Sequence, residues 1–390
     1  MENEFEKGFM CGYLINYHVD EPKPDQKEWT YPSNWLKLPE PADNQIVMLV
    51  DNRGSSVYNN TSYEFVCGLD VDSYHSTKIE WGDGTYSESI NDSGYHRHIY
   101  EQGTGHKAGN SEQWIVTITF DSDENNNAVL NRLAQYDSCA YVLAIKIGNT
   151  KYVNKNSIYC FNSRLQYAKI CRGEFTFRFD GSHVLKKVEL HENITKIPKS
   201  AFFYSYSLID INLENITEIG AYAFENCESM NFSGKMPKLK TIGEYGLSYT
   251  NTSSLDFPSL ESIGEYSFYS CHNLTECRSE TLKTIGQRAF ENCKTLRIVD
   301  LPYATELEKY VFHLCYELES VNLPLVTKIG DYCFAYDFVL RAIDLRSCTD
   351  IGSESFNSCY GLDHCILPTN TDTTGKFNYS YNVTFEFEGQ

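Results

Sequence analysis

The sequence predicts a mainly β protein, in which a β-sandwich in the N-terminal half is followed by a solenoid of stacked repeats with a parallel sheet. Two observations carry this prediction. A motif Ile-Gly-x-x-x-Phe recurs eight times, in some copies imperfectly, at steps of 21 to 23 residues, and such a period is the signature of stacked repeats. Upstream of it, short runs rich in Val, Ile and Thr are separated by turn signals, which is typical of β-strands.

Residues 1–44 are rich in Pro, Asp and Lys and are predicted to form an extended arm that orders on a neighbouring subunit. The first residues are acidic where a secretory signal is basic, so no export signal is expected. No stretch reaches the roughly 18 uninterrupted apolar residues that indicate a transmembrane helix.

Residues 45–122 are predicted to form the sandwich. The segment "TKIEWGDGTYSESI" places an Asp-Gly turn between two strands, which indicates a hairpin, and "WIVTITF" reads as a closing strand. The order Trp-Gly-Asp-Gly-Thr, His-x-Tyr, Val-Thr-Ile-Thr resembles a PKD-type immunoglobulin-like β-sandwich. The resemblance implies that Trp81, Asp83 and Gly84 are structural turn residues and that Asp83 ties the turn through backbone amides. No carboxylate cluster is spaced for calcium, so no metal is expected.

Residues 123–183 are predicted to link the sandwich to the solenoid and to cap its first open edge. The segment starts with the acidic "DENNN" and continues into a short helix, "AVLNRLAQY", and strands such as "AYVLAIKIGN". At the other end, residues 369–390 alternate apolar and polar residues and are predicted to form a capping strand.

Residues 184–368 hold the repeats. In each unit a Leu-x-x-apolar-x-Leu kernel predicts a strand, the Gly of Ile-Gly permits a positive φ, and the residues before the Phe predict a short helical turn that sends the ring inward. One unit buries apolar side chains worth roughly 6–15 kcal/mol, whereas ordering its backbone costs on the order of 22–44 kcal/mol. Each layer therefore requires its neighbours.

The kernel, followed by Ile-Gly-x-x-x-Phe-x-x-Cys-x-x-Leu, resembles the BspA-like class of leucine-rich repeats. The resemblance covers residues 184–368 and departs at Pro198, Leu247 and Leu307-Glu308. This class is similar to surface adhesion and recognition modules and implies no catalytic residue.

Three columns of side chains run along the repeats. Three residues after the aromatic position, five of eight units carry Cys, either as a compact buried residue or as a metal or disulfide ladder. Two residues before it lies a Tyr stripe, which either stacks on sugar rings or a partner or packs between repeats: Tyr222, Tyr245, Tyr266, Tyr310 and Tyr332. The outward strand positions form a polar strip that either binds a ligand or is a solvated face, with these candidates: Asp210, Asn212, Glu276, Arg278, Asp300, Asn322 and Asp344.

Charge and motifs exclude several function classes. The net charge of −20 argues against nucleic acid, which needs clustered Lys and Arg, and against anionic lipid. No Gly-x-Ser-x-Gly, phosphate-binding Gly-rich loop or His-Glu-x-x-His is present. His96 and His98 lie two apart on one strand and could bind a metal, although surface His residues are commoner. We therefore expect no enzyme and no cofactor.

The leading functional hypothesis comes from a resemblance. Trp-x-x-Leu-Pro in "WLKLP", followed by Trp-Gly-Asp-Gly, resembles a domain of tailed-bacteriophage virion proteins, and "FEKGFMCGYL" resembles N-terminal segments of gut-phage structural proteins. It implies a non-enzymatic structural and recognition protein of a virion, in the tail or decorating the capsid, made in the host cytoplasm. Residues 1–122 would contact other virion subunits in an oligomeric assembly, without membrane insertion, and the solenoid would bind a protein or a host-surface glycan. The alternative is a bacterial BspA-like surface adhesin, and the third hypothesis is a glycan-degrading tail enzyme.

Overall fold

The computed structural model describes residues 29–52, 62–71, 76–90, 93–120, 130–135, 141–149, 158–159, 164–173, 175, 178–255 and 257–388. Within these ranges the chain forms 28 β-strands and no helix. The N-terminal strands are β1 (Gln45–Asp51), β2 (Ser62–Val71), β3 (Ser76–Glu80), β4 (Tyr86–Ile90), β5 (Ser93–Glu101), β6 (His106–Ala108), β7 (Ser111–Phe120), β8 (Leu130–Gln135), β9 (Tyr141–Asn149), β10 (Ile158–Tyr159) and β11 (Tyr167–Arg172).

The repeats contribute short strands that alternate between two sides of the solenoid. They are β12 (Lys187–Leu190), β13 (Lys196–Ile197), β14 (Asp210–Ile211), β15 (Glu218–Ile219), β16 (Thr241–Ile242), β17 (Ser254–Leu255), β18 (Ser262–Ile263), β19 (Glu276–Arg278), β20 (Thr284–Ile285), β21 (Ile298–Asp300), β22 (Glu306–Leu307), β23 (Ser320–Asn322), β24 (Lys328–Ile329), β25 (Ala342–Asp344), β26 (Asp350–Ile351), β27 (His364–Leu367) and β28 (Thr384–Phe387).

The N-terminal half consists of two sheets that share one core. A nine-stranded sheet has the order β14-β12-β11-β9-β1-β7-β3-β4, with β6 beside β7, and a four-stranded sheet has the order β10-β8-β2-β5. Alternate side chains of both sheets, such as Met48, Phe65 and Val116, are buried in a single hydrophobic cluster. The predicted helix in "AVLNRLAQY" is wrong: Leu130–Gln135 is strand β8, which pairs antiparallel with β2, so the edge of that sheet decided the local conformation.

The larger sheet joins the two halves of the molecule. Its strands pair antiparallel from β4 to β9, but β9, β11, β12 and β14 pair in parallel. The last two of these strands already belong to the repeats. The segment predicted as linker and cap therefore supplies strands to one continuous sheet, and the first solenoid layer is built directly on it.

The described part of the predicted arm, residues 29–44, packs on the outer face of its own sheet. Trp35 and Leu38 are buried there against Val47, Leu49 and Tyr167. Trp29 stacks on Tyr167 with ring centres 5.8 Å apart. This corrects the prediction of an arm ordered on a neighbouring subunit, because the aromatic side chains find their apolar contacts within the chain. Residues 1–28 lie outside the described ranges.

Each repeat forms one layer, and equivalent residues of successive layers pair in parallel. Ile197 lies beside Ile219 and Ile242 beside Ile263, one repeat apart. On the other side, β17, β19, β21 and β23 form a second parallel ladder, followed by β25, β27 and β28. Inside, the aromatic rings stack face to face; Phe290, for example, lies 5.3 Å from Phe268 and 5.4 Å from Phe312.

The predicted short helical turns before the aromatic positions are wrong, because hydrogen-bonded turns occupy these segments. In every layer the residues two before and two after the aromatic position have positive φ, as in Tyr222 (59°) and Asn226 (60°). A helix needs negative φ throughout. The amides instead donate to the next layer, for example Phe202 N to Ala223 O at 2.8 Å, so the hydrogen bonds run between layers.

The glycine of Ile-Gly also has a different role from the one predicted. Gly286 is not among the residues of positive φ. A Cβ at this position would lie 2.5 Å from the backbone of Gly264 and Glu265. Glycine is therefore required because the backbones of adjacent layers approach closely here.

Residues 369–388 form a ninth layer. Phe377 stacks on Phe356 with ring centres 4.8 Å apart, and β28 pairs in parallel with β27. The tail thus repeats the contacts of the other layers, with a strand and an inward aromatic ring.

Candidate functional site

The Tyr stripe is a continuous stack of rings and cations. Tyr245 lies 5.3 Å from Tyr222 and 4.4 Å from Tyr266, with ring planes within 12° of each other. The Arg288 guanidinium continues the stack, 5.7 Å from the Tyr266 ring centre and 4.0 Å from that of Tyr310. Tyr332 then stacks on Tyr310 at 5.1 Å. Ring faces in the stack cover one another, so the stripe holds adjacent layers together and presents ring edges and hydroxyls outward.

Acidic side chains lie beside the N-terminal part of this stripe. The Tyr222 hydroxyl donates to Glu244 at 2.6 Å, which, with partial burial, raises the pKa of Tyr222 to about 12. Burial and the nearby Glu244 raise the pKa of Glu225 to about 7. This carboxyl therefore titrates near neutral pH.

A polar network surrounds Arg288, the cation that interrupts the stripe. Arg288 donates two hydrogen bonds to Glu291, at 2.8 and 3.0 Å, and His313 Nδ1 lies 2.9 Å from the same carboxylate. Burial alone would raise the pKa of Glu291, but the hydrogen bonds with His313 and Arg288 outweigh it and hold this pKa below its usual range.

The Cys column is a ladder of buried thiols. Its members are fully buried and unpaired as disulfides: Cys227, Cys271, Cys293, Cys315 and Cys359. Each sulfur lies 3.0–3.3 Å from the backbone carbonyl oxygen at the aromatic position of the preceding layer. Burial raises the pKa of all five thiols, so they are protonated donors. This arrangement favours the compact-residue interpretation of the ladder over a disulfide or metal ladder.

Asp337 occupies the same column and differs from every other member. It is fully buried, its Oδ1 accepts from the Cys315 amide at 3.0 Å, and its Oδ2 has no hydrogen-bond partner. Burial raises the pKa of Asp337 well above its usual range. A carboxyl group thus stands where neighbouring layers place a neutral donor.

The strand face consists of the outward side chains of β12, β14, β17, β19, β21, β23, β25 and β27. At its centre, Arg278 Nε lies 2.9 Å from Glu276 and its guanidinium 3.7 Å from Asp300. Asn322 donates to Asp300 at 2.8 Å. Asp344 lies apart from this cluster and pairs with Arg346 at 2.7 Å, which lowers the pKa of Asp344. Four of the predicted residues are therefore brought together in adjacent layers.

The other two predicted strand-face residues line a groove of about 530 Å³ where the solenoid meets the larger N-terminal sheet. We call it the junction groove. Asp210 lies 2.8 Å from the Lys187 ammonium. The Asn212 side-chain amide exchanges two hydrogen bonds, at 2.7 and 2.8 Å, with the backbone of Leu190, so it extends the β12–β14 ladder. Asp210 is the more available of the two for a ligand.

The opposite wall of the junction groove comes from the segment that covers the N-terminal sheet. Glu40 lies 2.7 Å from Lys146 and 3.0 Å from Lys169, and the hydrogen bond from Lys146 is the main reason why its pKa falls to about 2. Cys171 also lines the groove, but burial and Glu40 raise its pKa to about 12, so the thiol is not a nucleophile. Sequence reasoning missed Glu40 and Lys169 because they lie outside the repeat register.

The Trp-Gly-Asp-Gly turn lies far from these surfaces in the sequence and forms its own network. Asp83 Oδ1 accepts from the backbone amide and the hydroxyl of Thr85, at 3.0 and 2.6 Å, and Oδ2 lies 2.7 Å from His98 Nε2. His98 in turn stacks on Trp81 at 4.8 Å. Gly84 has a φ of 93°. These contacts fix the turn against the sandwich core.

Metal-ligand clusters and membrane spans were sought in the described parts of the chain. No group of three or more His, Cys, Asp or Glu side chains there is arranged to hold a metal ion. In the same ranges no helix has the length and hydropathy needed to cross a bilayer.

Comparisons with known proteins identify the repeats. Residues 145–275 and 261–386 match the BspA type leucine-rich repeat region, in six copies. A search of curated proteins returned no match.

Solved structures similar to this chain are leucine-rich repeat proteins of bacteria. One from Bacteroides ovatus is 18% identical, with 68% of this chain and 97% of that chain covered and a TM-score of 0.31. A leucine rich cell surface protein from Faecalibacterium prausnitzii is 18% identical, with 67% and 91% covered and a TM-score of 0.30. A leucine-rich repeat protein from Eubacterium ventriosum is 18% identical, with 64% and 76% covered and a TM-score of 0.37.

Proposed function

Because this chain belongs to the BspA type leucine-rich repeat family, we propose that it is a non-enzymatic recognition protein that binds a protein partner along its strand face, starting at the junction groove. Leucine-rich repeat proteins typically bind other proteins and carry no catalytic machinery. Stacked layers suit this task because they build a long, rigid surface from short units.

The junction groove is the observation that carries the proposal. It is concave, it has a volume of about 530 Å³, and side chains of both charges line it, Lys169 and Lys187 facing Glu40 and Asp210. A protein partner that carries both charges can replace these internal ion pairs with its own, which gives specificity without a large net charge. The strand face continues the same chemistry with Arg278, Glu276 and Asp300.

The proposed biological setting is the bacterial cell surface. The family match supports the adhesin alternative better than the virion hypothesis, which rests on the short resemblances around Trp35 and Trp81. Proteomics of surface-shaved cells and of purified virions separates the two settings. Peptides of this chain released from the cell surface support the proposal, whereas peptides found only in virions contradict it.

The binding role can be tested with Arg278 and a matched control. We propose to screen the labelled full chain against an array of extracellular proteins and polysaccharides, and then to compare Arg278→Glu with Arg297→Glu. The two side chains are similarly exposed, at 51% and 54%, and each pairs with a carboxylate, but Arg297 lies outside the strand-face row.

We expect Arg278→Glu to weaken binding to a protein on the array about tenfold, as expected for a contact inside an interface, and Arg297→Glu to bind like the wild type. Equal binding by all three proteins, or a loss confined to Arg297→Glu, contradicts a role for the strand face. Release of oligosaccharides from any polysaccharide on the array contradicts the non-enzymatic assignment.

A further inference from the structure

The last four layers carry an aromatic surface that the middle layers lack. In each layer, the side chains two and four positions after the inward aromatic position flank the thiol column and point outward. In the middle layers these positions hold polar residues such as Asn226, Glu228, His272 and Lys294. In the last layers they hold mainly aromatic ones, which with Val339 form the C-terminal aromatic patch: Tyr336, Phe338, Val339, Tyr360, Tyr379 and Tyr381.

The patch is held in place before any partner arrives. Phe338 is stacked between Tyr316 and Tyr360, at 5.0 and 5.5 Å, with ring planes within 7°. Tyr336 meets Phe338 edge to face at 6.4 Å. Rings fixed in this way lose little conformational entropy when they are buried in an interface.

The patch is also accessible. Tyr381 is 79% exposed and Tyr379 52%, while Val339, Tyr360 and Tyr336 are between 36% and 42% exposed. At the 150–250 Å² that an aromatic side chain buries, these residues offer roughly 300–500 Å². An exposed apolar patch of this size commonly marks an interaction site.

The chemistry of the patch points to an occupant like itself. Its stacked rings present edges and hydroxyls, so a ligand that needs an open ring face, such as a sugar, finds little to stack on within the column. Its six side chains carry no charge, in a chain of net charge −20. Tyr hydroxyls both donate and accept hydrogen bonds, and ring edges pack against ring faces, so the surface is complementary to a second copy of itself.

We propose that the C-terminal aromatic patch is a self-association surface on which a second copy of this chain docks about a two-fold axis. A two-fold interface requires such self-complementarity. The area is about half of one partner's share in a standard interface, so the dimer is weak and forms at micromolar or higher concentration. The negative charge of the whole chain opposes association, and added salt screens it. Dimer formation therefore increases with ionic strength, unlike association driven by opposite charges.

The test is sedimentation velocity of the full chain over a concentration series at low and high salt. Tyr336→Asn and Tyr379→Asn remove rings from the patch, and Asn tolerates the positive φ of both positions, 68° and 63°. Tyr204→Asn is the matched control, because Tyr204 occupies the same position in the first layer with a φ of 60° and 37% exposure. Circular dichroism and thermal unfolding establish that each variant is folded.

We expect a concentration-dependent dimer of the wild type that salt strengthens. We expect both patch variants to shift its dissociation constant at least about tenfold, each ring being a central aromatic anchor, and the control to leave it unchanged. Val339→Asp provides an independent second route to the same loss. A wild type that stays monomeric throughout, a dimer that salt dissociates, or equal losses in the control and the patch variants overturns the proposal.

Discussion

The two halves of the molecule build their cores in opposite ways. In the N-terminal half, strands far apart in sequence pair, as β1 does with β7 and β9, and the aromatic rings around Trp81 occur once. In the solenoid, every contact recurs one repeat later, and each layer touches mainly the layers before and after it. The comparison teaches that a local change should affect the whole N-terminal unit but only neighbouring layers of the solenoid. The four Trp residues all lie in the N-terminal half, so Trp fluorescence reports that half and circular dichroism the whole β structure.

The largest expected effect comes from breaking the inner ring stack. Phe290 is fully buried and stacks on rings of both adjacent layers, so Phe290→Ala should cost about 3–5 kcal/mol. Urea unfolding by circular dichroism should show this loss, with a much smaller shift in the Trp fluorescence transition. Phe377→Ala in the ninth layer is the control, because Phe377 is only partly buried and should lose less than half as much. Equal losses would mean that the layers do not differ in support.

The second effect concerns the carboxyl in the thiol column. Asp337→Cys restores the residue of the neighbouring layers and removes a buried oxygen without a partner, so stability at neutral pH should rise by about 1–3 kcal/mol. The raised pKa of Asp337 means that the folded state binds this proton more tightly than the unfolded chain. Its stability contribution is therefore present below the unfolded pKa and is lost as pH rises.

The thiols of Cys315, Cys333 and Cys359, which face Asp337, have pKa values raised mainly by burial and do not titrate in this range. Unfolding measured from pH 4 to pH 8 should show a steeper decline for the wild type than for Asp337→Cys. Parallel profiles would contradict the assignment.

The third prediction addresses the N-terminal half. Asp83→Ala removes the hydrogen bonds to Thr85 and the contact with His98, and should cost about 1–2 kcal/mol. Burial would raise the pKa of Asp83, but these hydrogen bonds outweigh it and lower the pKa, so the stabilisation is present at neutral pH and lost as pH falls through the folded pKa. The Trp fluorescence transition should shift at pH 7 and little at pH 3. A loss of the same size at both pH values would show that the turn, and not the charge, is responsible.

The smallest effect is expected at Glu225, which lies half-buried beside Glu244. Its pKa of about 7 is above the unfolded value, so its contribution is lost as pH rises through about 7. After allowance for solvent screening, Glu225→Gln should gain about 1 kcal/mol at pH 8 and nothing at pH 4. Glu244→Gln should instead lower the pKa of Glu225, which a carboxyl titration by NMR can measure.

How far the sequence predicts this molecule depends on periodicity. The repeat frame predicts the inward side chains of Ile285 and Phe290, the parallel ladders and the class of repeat, because each layer obeys one local rule. The helical turns were predicted wrongly, since pairs of residues with positive φ, such as Tyr222 and Asn226, are visible only when hydrogen bonds between layers are known. The role of Gly286 was missed for the same reason.

The candidate site shows the same limit. Arg278, Asp300 and Asn322 follow from strand alternation, because equivalent positions of adjacent layers must be neighbours. Glu40 and Lys169 could not be found in this way, since the junction groove arises where a covering segment meets a sheet strand far along the chain. The continuous sheet through β9, β11, β12 and β14 likewise depends on long-range pairing that no local pattern encodes.

The central claim is that each solenoid layer is stable only on its neighbour, with the N-terminal sheet as the base of the stack. Native-state hydrogen exchange of the amides that link successive layers, such as Phe202, Phe290 and Phe356, tests this most directly. We predict that the free energy of opening is highest in the layers beside the N-terminal sheet and falls towards the ninth layer. Uniform protection along the solenoid, or the strongest protection in the last layers, would contradict the account.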